Sequence, residues 1–340
     1  MRQGLTYDDV LLEPQYSDIV SRKEVNLKTD LGKGVKLRLP IIASPMDTVS
    51  ESNMAWGMGM AGATAIVHRY NTVAEQAAMF SSVPEHLVAG GAVGVGRDMA
   101  ERATALVHAG AKIICVDVAH GHHILVKKAL KDLRKLFDHL GEDIHIMAGN
   151  VATLEGFNDL ADWGADSIRC NIGGGSICTT RIQTGHGVPG LETIFQCAKS
   201  DRDAKIIADG GIKTSGDIVK ALAAGADAVM LGSLLAGTDL APGKSFKDTN
   251  GEFRKIYRGM ASAEAQKDWR GRVSSMEGVS SSIPFRGALP DVLQELERGI
   301  RSGLSYSGAR SIKELQGKAK WIRQTHASIV ESSAHITRRK

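Results

Sequence analysis

The sequence predicts an α/β protein, a closed (β/α)8 barrel. Three observations carry that prediction: eight short apolar runs rich in β-formers recur along the chain, helical spacing fills most of the intervals between them, and Ala-Gly-Ala or a near variant precedes several runs. The runs are 39–46, 63–68, 88–96, 112–119, 143–151, 166–172, 205–211 and 227–235. Most are apolar nearly throughout, as strands buried on both faces of a parallel sheet require. Helical periodicity is clearest over 99–109, 122–140, 154–163 and 215–224. Gly62, Gly110 and Gly225 in the Ala-Gly-Ala segments, and Gly164 in Trp163-Gly164-Ala165, fit helix C-termini turning back into the sheet. A doubly wound open sheet is the alternative arrangement.

A barrel of this kind runs to the length of this chain, so the assignment is a single (β/α)8 domain over 1–340. The stretch 239–285, after strand eight, is polar and breaks the rhythm. At that place in a barrel it reads as an active-site flap, the plain alternative being a surface insertion without a role. Residues 335–340 read as a basic, frayed end. Hydrophobic residues at 43% supply a large core, and a net charge of +4 allows anionic ligands without calling for nucleic acid. No basic-then-apolar leader and no long apolar run is present, so neither secretion nor a membrane partner is expected. The cysteines, Cys115, Cys170, Cys178 and Cys197, form no CxxC pair. That spacing disfavours a disulfide framework or zinc site and favours a reducing, cytoplasmic setting.

Strand six runs into Gly173-Gly174-Gly175-Ser176-Ile177-Cys178-Thr179-Thr180-Arg181. Its glycines let backbone N–H groups approach an anion, and Ser176 adds a hydroxyl. Strand seven ends in Asp209-Gly210-Gly211, and strand eight in Gly232-Ser233. Barrels often hold a phosphate on the loops after the last two strands. One such glycine would only make a turn; glycines after three adjacent strands define a phosphate-binding mouth. Cys178 falls at that mouth, where local N–H groups and Arg181 favour a nucleophilic thiolate. Cys115 and Cys170 lie inside strands and Cys197 on a helical stretch, and core packing is the reading for all three. His120, His122 and His123 follow strand four behind Asp117. Composition alone admits a metal there. No i, i+4 pair faces an acidic partner on one helix, so polar contacts to a ligand or loop are preferred.

The motifs and their order resemble the IMP dehydrogenase / GMP reductase family over nearly the whole chain. Besides the cysteine loop, they are Leu5-Thr6-Tyr7-Asp8-Asp9-Val10-Leu11-Leu12, Ala43-Ser44-Pro45-Met46-Asp47-Thr48-Val49, Asp117-Val118-Ala119-His120-Gly121-His122, Ala148-Gly149-Asn150-Val151, Ala208-Asp209-Gly210-Gly211-Ile212 and Tyr257-Arg258-Gly259-Met260. The resemblance implies a TIM barrel, a homotetramer and specific roles. Cys178 would attack carbon 2 of a purine nucleotide. Ser44 and Met46 would line the nucleotide site. Ser176, Asp209, Gly210, Gly211, Gly232 and Ser233 would hold ribose and phosphate, with Tyr257, Gly259 and Met260 closing over phosphate and base. Asp117, Ala119 and His120 would meet a nicotinamide cofactor. The carbonyls of Gly173, Gly175 and Cys178 resemble a site for a monovalent cation such as K+. Two positions depart from the pattern. Asn171 stands where the family usually has glycine, and Gly174 where proline is common. Asparagine tolerates positive φ better than most residues, which lets the loop keep its shape.

Within the family, His68-Arg69-Tyr70 leads through one helix to strand three, leaving no room for the regulatory nucleotide-binding insert of most IMP dehydrogenases. Between Met260 and Glu277 there is no Arg-Tyr pair of the sort a dehydrogenase uses to hydrolyse its covalent intermediate. Arg270 or Arg272 is a stand-in for that arginine. Leu304-Ser305-Tyr306-Ser307-Gly308 looks more like a reductase, whereas 117–122 and 232–237 look as much like bacterial dehydrogenases. The expected activity is that of a GMP reductase: NADPH-dependent reductive deamination of GMP to IMP and ammonia through a Cys178 thioimidate, with Thr180 and Glu277 as a proton relay. The alternatives are an IMP dehydrogenase making XMP with NAD, and a non-catalytic purine-nucleotide-binding homologue. A barrel lyase or aldolase lacks a strand-end lysine to form a Schiff base.

Overall fold

In the computed structural model, which describes residues 3–273 and 276–332, eight parallel strands close into a barrel. They are β1 (Ile41–Ala43), β2 (Thr64–Val67), β3 (Gly90–Val93), β4 (Ile113–Asp117), β5 (His145–Val151), β6 (Ser167–Cys170), β7 (Lys205–Asp209) and β8 (Ala228–Leu231). Each pairs with its sequence neighbour, and β8 returns to β1 through Val229↔Ile41, Met230↔Ile42 and Leu231↔Ala43. That closure makes the fold a TIM barrel and rules out the open-sheet alternative. The strands are shorter than the apolar runs that announced them, because the ends of those runs turn out to be mouth loops. Ser233–Ala236 is a short helix and does not continue β8.

Alternation along the strands sorts the core into two layers. Ile42, Ile66, Ala92, Cys115, Met147, Ile207 and Met230 point into the barrel. Ile41, Ala43, Ala65, Ile114, Ile168 and Ala208 point outward against the helices. A hairpin of Thr29–Asp30 and Lys36–Leu37 brings Leu31, Val35 and Leu37 against the inner layer, a plug that the sequence did not announce.

The predicted helices form as Met99–His108, Ile124–Leu140, Leu154–Asp162 and Ser215–Ala223. Thr153 and Thr214 cap the last two by accepting from Gly156 N and Asp217 N, and the His123 ring accepts from Leu125 N. Gly62, Gly110, Gly164 and Gly225 all have positive φ, as expected just past a helix end. Between β2 and β3 the chain passes through the helix Val73–Ala78.

The 239–285 excursion is more ordered than its polar composition suggested. Phe246–Lys247, Phe253–Arg258 and Ser280–Pro284 form an antiparallel sheet, with the helix Ala263–Arg270 between the last two strands. Elsewhere Val10–Leu12 pairs antiparallel with Trp321–Arg323. Residues 335–340 lie outside the described residues. Among the described residues, no helix is long and apolar enough to cross a membrane.

Candidate active site

A cleft of about 410 Å³ opens at the C-terminal ends of the strands, within the size range of small-molecule sites. The loop leaving β6 crosses it and carries Cys178. The Cys178 amide donates to Gly175 O at 3.1 Å. The loop is also stitched to the far end of the flap: Cys178 bridges Gly278 in antiparallel fashion, Thr179 N donates to Glu277 O at 3.1 Å, and Val279 N donates to Ile177 O at 3.0 Å. These backbone bonds deliver the Glu277 side chain to the cysteine. Cys178 Sγ lies 3.1 Å from Thr180 Oγ1, which donates to Glu277 Oε2 at 2.8 Å.

A threonine hydroxyl has one proton to give. While it donates to the carboxylate, its oxygen can accept only from a thiol S–H. If the carboxyl is protonated instead, the chain reverses and the hydroxyl donates to a thiolate. The three groups thus form a hydrogen-bonded line, the geometry that transfer of a proton between sulfur and carboxylate requires.

Arg181 is engaged by the loop itself. Its guanidinium donates to Ile172 O at 3.4 Å and Val188 O at 2.6 Å, so it braces the loop's own backbone. The other cysteines are buried, as core packing predicted. Burial pushes the Cys115 thiol up to about 12 and raises that of Cys170 well above its usual value.

Most of the residues that the sequence reading assigned to the nucleotide gather at this cleft. Ser44, Met46, Asp209, Gly210, Gly232, Tyr257, Gly259 and Met260 all line the cleft. Tyr257 is buried, and burial pushes its hydroxyl up to about 12 against the opposing effect of a hydrogen bond with Ser176. A Cβ on Gly232 would stand 2.6 Å from Tyr257 Oη and 3.2 Å from Ser44 Oγ, so only glycine lets those hydroxyls approach β8. Ser44 Oγ is buried without a hydrogen-bond partner in the protein, a polar group left for a ligand. Ser176, Gly211 and Ser233 are not part of the cleft lining; Ser176 is exposed at the rim.

Asp117 and Ala119 also line the cleft, whereas His120 is exposed and outside its lining. It packs edge-on to His122 because His122 turns to Asp159 Oδ2 at 2.9 Å on the next helix.

The sequence reading missed Arg169. It points inward from β6 between Asp117 and Asp209, donating to Asp117 Oδ1 at 2.5 Å and from Nε to Asp209 Oδ2 at 3.0 Å. Burial alone would push the Asp117 carboxyl up, but Arg169 and Arg69 more than offset it and hold the group below its usual value. Asn150 adds a hydrogen bond to Asp209 Oδ2 at 2.8 Å. The available signal was an arginine in an apolar strand, at an inward position.

The flap helix also contributes. Trp269 stacks on Tyr70 with ring centroids 6.0 Å apart, and Gln266 and Arg270 reach the cleft wall. Arg258 fastens the flap strand, pairing with Asp47 and with Asp268 at 2.6 Å each.

Architecture and mouth together define a (β/α)8-barrel protein with a small-molecule cleft crossed by a cysteine-bearing glycine loop. The IMP dehydrogenase / GMP reductase domain matches residues 4–335. The chain is 31% identical to inosine-5'-monophosphate dehydrogenase of Nitrosopumilus maritimus, covering 98% of each, and 33% identical to GMP reductase of Leishmania major, covering 98% of this chain and 97% of the relative. The structure of a cysteine-to-alanine variant of GMP reductase from Trypanosoma brucei, in complex with guanosine 5'-monophosphate, superposes with a TM-score of 0.92 at 32% identity, covering 98% of both chains. The chain belongs to the IMP dehydrogenase / GMP reductase family, oxidoreductases that act on purine nucleotides with a nicotinamide cofactor.

Proposed function

We propose that this chain is a GMP reductase, converting GMP to IMP and ammonia with NADPH. The observation that carries the proposal is the Cys178–Thr180–Glu277 line, with 3.1 Å and 2.8 Å between its members. In the proposed first step the thiol proton passes through Thr180 to Glu277. The thiolate then adds to carbon 2 of the purine. Glu277 returns that proton through Thr180 to the departing amino group, which leaves as ammonia. A C–S bond has formed, a C–N bond has broken, and a thioimidate remains on Cys178. NADPH, when bound, supplies a hydride. Hydride at carbon 2 restores a tetrahedral centre, and the Cys178 thiolate leaves with the C–S electrons, yielding IMP.

This chain's residues suit both ligands. Ser44 offers its unpartnered hydroxyl, Tyr257 and Gly232 would hold the nucleotide, and Asp117 and Ala119, which line the same cleft, would meet the nicotinamide. The carbonyls of Gly173, Gly175 and Cys178 are the proposed ligands of a monovalent cation. They fit such an ion in part, since Gly175 O already accepts the Cys178 amide.

A second reading, IMP dehydrogenase, has one observation in its favour: Arg270 of the flap helix lines the cleft, where a guanidinium could help activate water. A spectrophotometric comparison of GMP with NADPH against IMP with NAD separates the two. Cofactor oxidation with ammonia release is the expected result. Robust XMP formation from IMP would reverse the assignment.

A further inference from the structure

Asn171 is the odd residue of the cysteine loop. Its backbone φ is +153°, a region that residues with side chains rarely adopt, and it is 3% exposed. Its side-chain Nδ2 donates to Asp209 O at 2.9 Å and to Gly210 O at 3.3 Å, the carbonyls where β7 ends. Turning the amide round would set oxygen against both carbonyls, so the network fixes its orientation. The main chain of Asn171 is held as well: its N–H donates to Val151 O at 2.9 Å, and its carbonyl accepts from Asn150 Nδ2 at 3.0 Å. One residue thus joins the ends of β5, β6 and β7.

Directly against this carboxamide lies Gly174. A Cβ there would stand 2.2 Å from Asn171 Nδ2 and 2.7 Å from Oδ1. Gly174 itself is not at positive φ, so its backbone does not demand glycine; the neighbouring side chain does. Asn171 Oδ1 is buried without a partner. An unusual φ and an orphaned acceptor persist only where surrounding structure imposes them, and such features cluster at active sites.

We propose that Asn171 is a positioning residue: its carboxamide braces the cysteine loop against the end of β7, and glycine at 174 is the condition for that brace. Asparagine at 171 and a side chain at 174 exclude each other. Any residue larger than glycine at 174 acts by dislodging the brace.

The proposal rests on Cys178 as the nucleophile, and its test includes readouts that need no turnover. The full chain would be compared with Asn171→Gly, Gly174→Ala and the double variant. Hydrogen exchange of amides 172–178 and alkylation of Cys178 by iodoacetamide are measured without nucleotide, and kcat and KM with GMP and NADPH. Each single variant should speed exchange in this loop, leave barrel strands protected, and lower kcat by about ten- to a hundredfold with a much smaller change in KM for GMP. The double variant should match Asn171→Gly, because alanine at 174 has nothing left to dislodge. If loop exchange responds in this way while even the unaltered chain turns over no purine nucleotide, the brace stands and the functional reading falls. Gly174→Ala without effect on loop exchange, or losses that add in full in the double variant, would overturn the brace.

Discussion

Glutamine at 277 keeps the shape of the side chain but removes its ability to take a proton. In the proposed reaction an amide anion cannot leave unaided, so the loss falls on the deamination step. Glu277→Gln should slow ammonia release by about 10²–10⁴-fold, the usual weight of a positioned acid–base group, with little change in GMP affinity. Thr180→Ala should do the same, and the double variant should be no worse than the poorer single, since the two act as one relay. Stopped-flow ammonia release with equilibrium GMP binding checks this, and near-normal release in Glu277→Gln would end the relay. The place of Cys178 was legible in the sequence, because a glycine loop at a strand end fixes where it must sit, whereas Glu277 was reached only through the family resemblance. Arg169 was not legible. Nothing in Ser167-Ile168-Arg169-Cys170 says that two carboxylates from β4 and β7 meet it inside the barrel, a coincidence that only closure of the sheet creates. For the histidines after β4 the polar contacts expected from the sequence appear, His122 on Asp159 and His123 on a helix cap.

Several links tie the flap to the barrel mouth. One is the stacking of Trp269 on Tyr70, with planes inclined by 16°. A pair of this kind is worth about 0.5–1.5 kcal/mol beyond the area it buries. Trp269→Ala should therefore loosen the helix Ala263–Arg270 while leaving the barrel intact. Trypsin should cut at Lys267 or Arg270 several times faster, kcat/KM should fall by roughly tenfold, and the thermal midpoint should scarcely move. Unchanged cleavage and kinetics together would show that the stack does not hold the flap. The internal order of this excursion was hidden by its own composition. Lys255 sits in the middle strand and reads as a solvent-facing residue, yet it is 2% exposed and donates from Nζ to Thr238 O at 3.0 Å and Ala241 O at 2.5 Å. The barrel helices were legible because an apolar stripe at helical spacing has a sheet to face; the flap strands face a mouth lined by polar loops, and their alternation is blurred.

For the molecule as a whole, the repeat of strand and helix made the barrel legible, whereas the hairpin that plugs it was not, being too short to leave a periodic trace. Near that plug lies a titratable group that makes folding sensitive to acid. His145 is fully buried with Nε2 2.7 Å from Ser167 Oγ, and burial lowers its pKa to about 4. The unfolded chain takes up this proton near its usual pKa of about 6.5, well before the folded one does. Stability from this group is therefore complete above that value and drains away as pH falls from about 6.5 to about 4. The loss should be about 2 kcal/mol between about pH 7 and about pH 5. Urea unfolding at those two pH values should show the wild type losing more than His145→Gln by about that amount; equal losses would remove His145 from the account. Ring closure has a consequence for how the protein is made. Until β8 has left the ribosome, β7 and β1 each present an unpaired strand edge. The pairing of Val10–Leu12 with Trp321–Arg323 then waits for nearly the last of the chain. A nascent polypeptide thus carries the Cys178 thiol for a long stretch of synthesis before there is any barrel to hold it. Through that interval the glycine loop is an open segment beside exposed apolar strands, the stage at which a chaperone has the most to protect.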